Sequence, residues 1–382
     1  MKPGIPTEDG STDRVRRLWT ALRERLFGDR GDASAWRGMV RSLGITLAGG
    51  IAAVAIAIYL IDPYDVVPFS PPADRPMMDL NQRWLYPGVA RSGRFDSLVI
   101  GTSTIRLLDP KRLDAAFGGR FANFAMNSAT AWEQAQIARV FLHANGPPKT
   151  LVIGIDSVWC APDADRQRIT FRGFPEWMYD DNRWNDLLHI LNGKTLEIAG
   201  RMVGYWLGLR EPRYRYDGFE VFVPPEETYD LARARTHLYP GGRVDMPPVE
   251  PPVRLSPAVE ESLRFPAHDW VDALLGETRG RSRVILAAMP VHVAAQPRSG
   301  SEAAAIEEVC LDRLAAIAQR HGALMVDWRY PSALTREDSN YWDPLHYRLP
   351  IAERLVDDLR TAIDGGSSPE GTWRVTARPA KP

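Results

Sequence analysis

The hydrophobic and polar positions divide the chain into regions of different character. From Leu43 to Ile61, nineteen consecutive residues carry no charge. Between about residues 96 and 363, short apolar runs alternate with longer stretches in which apolar residues recur at helical spacing. The chain on either side of these regions is polar and rich in Pro, Gly and charged residues. This order predicts one membrane-spanning helix followed by an α/β domain.

The uncharged stretch is long enough to cross a membrane. With a rise of about 1.5 Å per helical residue it spans roughly 28 Å, close to the thickness of a bilayer's hydrocarbon core. We therefore predict a transmembrane signal-anchor helix over residues 42–62. The alternatives are a buried core helix and a cleaved signal peptide, although a cleaved signal is usually shorter and nearer the start of the chain.

The charges on the two sides of this helix are unequal. Residues 1–41 contain nine basic and six acidic side chains, whereas four aspartates and one arginine lie between residues 62 and 79. The positive-inside rule therefore predicts a cytoplasmic basic tail over residues 1–41. The rest of the chain is expected to be periplasmic or otherwise extracytoplasmic, on a single-pass protein of the inner (cytoplasmic) membrane.

The segments that flank these regions have their own composition. In residues 15–27, apolar residues at helical spacing alternate with arginines, which suits either a helix lying on an anionic membrane surface or a loosely ordered basic tail. Residues 63–95 are rich in Pro and Asp and are predicted to form a membrane-proximal linker. Residues 365–382 are rich in Gly, Pro and Ser and are predicted to be disordered.

Five short apolar runs predict the strands of a mostly parallel sheet. Helical stretches alternate with them, which indicates a doubly wound, flavodoxin-like α/β domain over residues 96–364. A long insertion, about residues 157–265, follows the third strand. Its many aromatic side chains could give the insertion a small core of its own or stack on sugar rings. The five runs are residues 97–101, 121–126, 150–156, 283–290 and 323–328.

Composition narrows the classes of function. The formal net charge is −1 and 25% of residues are charged, which does not suit a nucleic-acid-binding protein because such a protein concentrates basic side chains on one face. The sequence contains no P-loop, no dinucleotide-binding glycine motif and no metal-ligand spacing, so no cofactor and no metal are expected. Cys160 and Cys310 are the only cysteines, and both a disulfide and two buried free thiols remain open.

Two short motifs point to nucleophilic catalysis. Ser103 follows the first strand and precedes a predicted helix, where α/β folds place ligands and where a helix N-terminus can stabilise an oxyanion. Asp343 and His346 follow the fifth strand, and an Asp three residues before a His can orient the imidazole so that its other nitrogen takes a serine proton. Each motif alone also suits a helix cap or a turn. Together they predict a catalytic triad of Ser103, Asp343 and His346.

In the order and spacing of these motifs the chain resembles the SGNH (GDSL-like) hydrolase superfamily. Within that superfamily it is similar to the membrane-anchored envelope branch, which includes alginate O-acetyltransferase-like proteins and the D-alanine transfer protein of teichoic acid synthesis. The sequence GTSTIR, residues 101–106, resembles the Gly-Ser-Ser-x-x-Arg form of the first motif in such members. The resemblance covers about residues 96–363 and implies Ser103 as nucleophile, His346 as base and Asp343 as the orienting acid.

The chain departs from this superfamily at the oxyanion hole. The family supplies a Gly from a second motif and an Asn from a third, whereas Ser128 and Asp156 stand at those places here. Ser128 can still donate its backbone N–H, and Asn127 could replace the missing amide. Because an anionic Asp156 would oppose an oxyanion, we expect it to point elsewhere, toward a substrate hydroxyl.

Two further residues lie near the expected mouth of the site. His292 follows the fourth strand and could contact substrate, although a structural role is the alternative. Arg106 could hold an anionic sugar, although a salt bridge within the first turn after the strand is the alternative. Both are candidate substrate-binding residues.

These observations predict a serine esterase or O-acyltransferase that acts on an acylated envelope or exported polysaccharide. Membrane anchoring favours a glycan substrate, and a transferase would need an integral-membrane partner that supplies the acyl donor. The alternative is a catalytically inactive, glycan-binding or assembly component that keeps the fold but lacks a complete oxyanion hole.

Overall fold

The computed structural model describes residues 16–21, 33–242 and 247–379. The chain divides into two units, Met1–Ala57 and Ile58–Pro382. Residues 16–21 are helical, and the rest of the predicted amphipathic stretch at residues 15–27 lies outside the described residues.

An apolar helix, α1, spans Ala33–Ile61. Among the described residues it is the one helix that is long and apolar enough to cross a membrane, over Ala35–Ile61. Only 6% of its most apolar stretch is buried inside the protein, which argues against a core helix. Its last residues, from Ile58 onward, belong to the second unit.

Six strands form one mostly parallel sheet in the second unit, in the order β2-β1-β3-β4-β5-β6. The first five strands pair in parallel and correspond to the five predicted runs, whereas β6 pairs antiparallel with β5. The strands are β1 (Ser97–Ile100), β2 (Phe121–Asn123), β3 (Thr150–Ile155), β4 (Arg283–Ala288), β5 (Leu324–Asp327) and β6 (Arg374–Ala377).

Helices cover both faces of the sheet. Along β3, Leu151, Ile153 and Ile155 pack into one apolar cluster and Val152 packs into another, because successive strand residues point to opposite faces. The continuous apolar runs in the sequence therefore reflect burial on both sides.

The first cluster contains residues of α2 (Gln82–Arg91), α4 (Ala131–Asn145), α9 (Ala267–Thr278) and α10 (Glu302–His321). The second contains residues of α3 (Pro110–Phe117) and α12 (Leu349–Ile363). The remaining helices are α5 (Asp186–His189), α6 (Gly193–Trp206), α7 (Leu231–Leu238), α8 (Pro257–Ser262) and α11 (Ala333–Arg336). Single 3₁₀ turns occur at Ser157–Cys160, Glu176–Met178, Glu226–Thr228, Val293–Ala295 and Asp338–Asn340.

The prediction of a linker over residues 63–95 is wrong. Asp62 is buried, and its carboxylate accepts hydrogen bonds from the backbone N–H groups of Val66 and Val67 and from the Ser70 hydroxyl. Helix α2 lies in the same segment and packs into the first apolar cluster. The aspartates and prolines that suggested a membrane-proximal linker therefore lie in a folded segment.

The prediction of disorder over residues 365–382 is also wrong in part, because β6 lies within it. Arg374 of β6 donates to the carboxylate of Asp327, a buried residue of β5, at 2.8 Å. Trp373 is buried against the second apolar cluster. One aromatic residue and one ion pair thus fix a segment whose composition is otherwise typical of disorder. Residues 380–382 lie outside the described residues.

Cys160 and Cys310 form a disulfide, which decides between the two alternatives that the sequence left open. Cys160 ends the 3₁₀ turn after β3, and Cys310 lies in α10. The bond joins residues 150 positions apart and so closes a loop that contains all but the first residues of the insertion. Such cross-links stabilise a fold mainly by restricting the unfolded chain.

We expect the double variant Cys160→Ala, Cys310→Ala to unfold with a free energy about 2–4 kcal/mol lower than that of the wild type. The measurement is denaturant unfolding of the full-length protein in detergent, followed by tryptophan fluorescence. A reductant should lower the wild-type midpoint toward that of the double variant and leave the double variant unchanged. Equal midpoints for the wild type and the double variant, each with and without reductant, would contradict a stabilising disulfide.

Candidate active site

Three loops meet at the carboxyl edge of the sheet. They follow β1 (residues 101–108), β2 (residues 124–130) and β5 (residues 328–347), and parallel strands place their carboxyl ends at one edge. The loop after β2 runs beside the loop after β1, since the backbone N–H of Met126 donates to the Gly101 carbonyl at 3.0 Å. The third loop is joined to the first by Tyr347, whose hydroxyl donates to the Thr104 carbonyl at 2.6 Å.

The Asp343–His346 segment is a tight turn that Asp343 itself closes. One carboxylate oxygen, Oδ1, accepts the backbone N–H groups of Leu345 at 2.8 Å and His346 at 3.0 Å. The other oxygen, Oδ2, lies 2.7 Å from Nδ1 of the His346 ring. The spacing of three residues therefore lets one carboxylate fix both the backbone of the turn and the orientation of the imidazole.

The other nitrogen of the His346 ring faces the predicted nucleophile. Nε2 lies 2.8 Å from the Ser103 hydroxyl oxygen, across 243 residues of sequence. Burial alone would raise the pKa of Asp343, but the hydrogen bonds from the ring and backbone of His346 and from Leu345 lower it below the ordinary value of an aspartate. The structure thus brings Ser103, His346 and Asp343 together in a continuous hydrogen-bonded relay, with an ionised carboxylate at its end.

The sequence suggested that Ser103 lies at the start of an α-helix. In the structure it lies in a series of turns. Backbone N–H groups of Ile105 and Arg106 donate to the carbonyls of Thr102 and Ser103, both at 3.3 Å, and the next α-helix begins only at Pro110. The loop packs closely on the sheet, because a Cβ atom at Gly101 would lie 2.4 Å from Cγ2 of Ile105. A glycine is therefore required at that position.

Asp156, at the end of β3, points toward this loop. Its Oδ2 accepts a short hydrogen bond from the Thr102 hydroxyl and lies 3.5 Å from the Thr104 hydroxyl oxygen. In the structure the hydroxyls of the loop itself are the partners of this carboxylate, and its contact with a substrate hydroxyl stays a prediction. Burial raises the pKa of Asp156, against the lowering effects of Thr102 and Arg329, which makes its negative charge easier to neutralise.

Ser128 has a left-handed backbone, with φ of 54°. Glycine adopts this conformation most readily, so the geometry at Ser128 would also suit the glycine that the resemblance described above implies at this position. Ser128 is exposed. The backbone N–H groups of Ser103 and Ser128 have no hydrogen-bond acceptor among the residues that the structure describes.

Arginines hold both the backbone carbonyl and the side-chain oxygen of Asn127, a half-buried residue. Two guanidinium nitrogens of Arg83 donate to its carbonyl at 3.2 Å, and Arg106 donates to its side-chain oxygen at 2.7 Å. Arg83 in turn forms a fully buried ion pair with Glu133, the N3 residue of α4. These contacts fix the turn that ends at Ser128, so Asn127 is a positioning residue.

Arg106 is buried and forms a salt bridge with Glu220 of the insertion, which is not the local pairing that the sequence suggested. Its guanidinium also lies 4.9 Å from the centre of the Phe222 ring. Phe222 packs edge-to-face against the His346 ring, with centroids 5.2 Å apart. Sequence reasoning missed Glu220 and Phe222 because nothing in the insertion indicates which of its residues reaches back to the relay.

His292 is fully buried and is a structural residue. Its Nε2 lies 3.2 Å from Oδ1 of Asp338, and its backbone N–H donates to the Pro344 carbonyl at 2.9 Å. It therefore supports the turn that holds Asp343. Asn123 is a second supporting residue that the sequence analysis missed, since its amide donates to the Leu108 carbonyl at 3.0 Å. An asparagine inside the apolar run of β2 was the available signal.

Most aromatic residues of the insertion are buried or half-buried, whereas Phe171, Trp184 and Trp206 are exposed. Tyr179 and Tyr214 are buried, and Tyr229 contacts Trp342 edge-to-face at 4.9 Å. No cluster of three or more potential metal-ligating side chains occurs in the part of the chain that the structure describes. No protein-family model and no curated protein matches this chain.

The geometry is suited to nucleophilic chemistry. A histidine whose tautomer is fixed by a carboxylate can accept the proton of a serine hydroxyl, and two free backbone N–H groups can bind a developing oxyanion. These components come from three loops, with Asp343 and His346 on the same one, and contacts join the loop after β1 to each of the other two.

We expect Asp343→Asn to slow the reaction of Ser103 with a serine-directed fluorophosphonate by about 10⁴-fold, as loss of the carboxylate does in comparable relays. Because Oδ1 accepts two backbone N–H groups, the new amide NH₂ would face Nδ1 of His346. The ring would then carry its proton on Nε2 and could not accept one from Ser103. The measurement is the labelling rate of the full-length protein in detergent, with Asp357→Asn, an exposed aspartate of α12, as the matched control. A rate for Asp343→Asn equal to the control's would show that the relay does not activate Ser103.

Proposed function

We propose that this chain is a membrane-anchored, extracytoplasmic serine esterase or O-acyltransferase of the SGNH type. Its substrate would be an acylated envelope or exported polysaccharide. The observation that carries the proposal is the relay from Asp343 through His346 to Ser103, with distances of 2.7 and 2.8 Å. Relays of this kind activate a serine hydroxyl toward ester carbonyls.

The proposed reaction has two halves. His346 Nε2 takes the Ser103 proton as the serine oxygen bonds to the ester carbonyl carbon, and the same nitrogen returns the proton to the departing alcohol oxygen as the ester bond breaks. The acyl group is then on Ser103. A sugar hydroxyl or water, deprotonated by His346, attacks that acyl group and releases Ser103 with its proton.

The oxyanion of each half-reaction would be bound by the N–H groups of Ser103 and Ser128. The left-handed φ of Ser128 supports this role, because the superfamily places a glycine at the corresponding point. Asp156 stands where the superfamily has an asparagine, and its engagement with Thr102 keeps the carboxylate directed at the loop. Loss of one oxyanion donor costs about 2.7–4 kcal/mol in comparable enzymes, so we expect a slow catalyst.

The strand order supports the superfamily assignment. The parallel strands follow the order 2-1-3-4-5, which is that of flavodoxin-like doubly wound sheets. The antiparallel β6 adds an edge strand to that layout.

The proposed location rests on two features of the chain. Helix α1 is long and apolar enough to span a bilayer, with excess basic residues before it and acidic residues after it. The disulfide between Cys160 and Cys310 suits an oxidising compartment such as the periplasm. If the enzyme is a transferase, its acyl donor has to reach the outer face of the membrane, which implies an integral-membrane partner.

The missing asparagine donor favours one other function, a glycan-binding or assembly component without catalytic activity. Such a protein would keep the fold and the loops but would not transfer an acyl group.

Labelling of Ser103 distinguishes the two functions. We expect a fluorophosphonate to label the full-length wild-type protein in detergent, and Ser103→Ala to abolish the labelling. Ser262→Ala, an exposed serine of α8, is the matched control and should label like the wild type. Absence of wild-type labelling, together with no turnover of a small acetyl ester, would rule out the enzyme. Labelling retained by Ser103→Ala would place the nucleophile elsewhere.

A further inference from the structure

Exposed apolar side chains are concentrated in one stretch of the second unit. Between residues 184 and 209, eight large hydrophobic side chains are exposed, among them Trp184 at 66% and Leu188 at 79%. This stretch contains α5 and α6. Scattered exposed hydrophobic residues are ordinary, but a contiguous group indicates a surface that is covered by something apolar.

The first part of this stretch contacts the end of α1. The hydroxyl of Tyr59, two residues before the helix ends, donates to the Leu187 carbonyl of α5 at 3.0 Å. The ring of Phe69 lies 6.2 Å from that of Tyr59 and 6.2 Å from that of Trp184. Tyr59, Phe69 and Trp184 therefore form a continuous row of aromatic rings.

The end of α6 is joined to the same place. The Tyr205 hydroxyl donates to the Asp74 carboxylate at 2.9 Å, and the indole N–H of Trp206 donates to the Asp74 carbonyl at 2.7 Å. The next residue, Arg75, donates to the carbonyl of Ile61, the last residue of α1, at 3.0 Å. Hydrogen bonds and ring contacts thus connect both ends of the exposed apolar stretch to the end of α1.

Basic side chains border this surface. Arg201, Arg210 and Arg213 line one cleft beside the end of α6. Among the residues that the structure describes, Arg210 and Arg213 form no salt bridge, whereas Arg201 pairs with Glu197. Apolar and aromatic residues next to arginines are typical of surfaces that lie in the headgroup region of a bilayer.

We propose that this surface rests on the bilayer that α1 crosses. We call it the interfacial patch, and it consists of Phe69, Trp184, Leu188, Leu191, Trp206 and Leu207. The uncharged stretch of the chain ends at Ile61, so Tyr59 lies at the edge of the hydrocarbon core, the depth that Tyr and Trp prefer. Leu187 and Phe69, which contact Tyr59, lie near the same depth, and the hydrogen bonds through Asp74 and Arg75 connect Trp206 to the end of α1. The arginines would then meet lipid phosphates. This proposal rests on the proposed membrane span and is independent of the chemistry at Ser103.

Site-specific labelling tests the contact with lipid. Both native cysteines are in the disulfide, so Leu188→Cys introduces a single reactive thiol for a fluorescent bimane label. Val259→Cys, an exposed apolar position in α8, is the matched control. The labelled full-length proteins are reconstituted into vesicles of phosphatidylglycerol and phosphatidylcholine, with and without nitroxide-bearing lipid. We expect the nitroxide lipid to quench most of the fluorescence at position 188 and to leave position 259 unchanged.

Two results would overturn the proposal. Equal, weak quenching at both positions, with full access of position 188 to aqueous iodide, would show that the patch faces solvent. Weak lipid quenching with protection from iodide would show that protein covers the patch, either a partner or a second copy. Flotation of the vesicles after carbonate extraction tests the span separately, and Ser103 labelling of the Leu188→Cys protein tests the proposed function separately.

Discussion

The candidate site depends on one hydrogen bond between two distant parts of the chain. Ser103 and His346 are 243 residues apart, and they meet because β1 and β5 are parallel strands of one sheet and end at the same edge. Short polar contacts then adjust the distance. Tyr347 joins the two loops, Asp343 closes its own turn, and His292 supports that turn from beneath. The bonds from His346 to Ser103 and from Tyr347 to Thr104 could not form if β1 and β5 did not share that edge.

The residues around the relay are held by buried charge. Arg83 and Glu133 form an ion pair with no solvent access, and Arg106 pairs with Glu220. Breaking a buried ion pair leaves an uncompensated charge and typically costs about 3–5 kcal/mol, so the turn at Asn127 and Ser128 has few alternative conformations. A fixed turn is what an oxyanion site needs, because its N–H groups must be in place before charge develops.

Local patterns in the sequence predicted much of this arrangement. The five parallel strands, the closing helix at Leu349–Ile363 and the Asp343–His346 turn were predictable, because continuous apolar runs, helical periodicity and a three-residue spacing each act over a few positions. Contacts between distant segments were not predictable in the same way. Nothing local shows that Asp62 would bind the backbone after it, that Arg374 would pair with Asp327, or that Phe222 would reach His346.

Composition was the weaker guide. Pro and Asp suggested a linker before the sheet, and Gly, Pro and Ser suggested disorder after it, but the same residues also form the turns of folded segments. The position of Ser103 is a related case, since a polar residue after a strand suits both a helix cap and a turn, and the structure has the turn.

In the proposed reaction Ser103 forms a covalent bond to an acyl group. The most direct measurement is mass spectrometry of the full-length protein after brief incubation with an activated acetyl ester and quenching in acid. We expect an acetyl group on the peptide that contains Ser103, and none on that peptide in His346→Ala, which lacks the base. Ester turnover with no acetyl group on Ser103, or turnover that persists in Ser103→Ala, would contradict it.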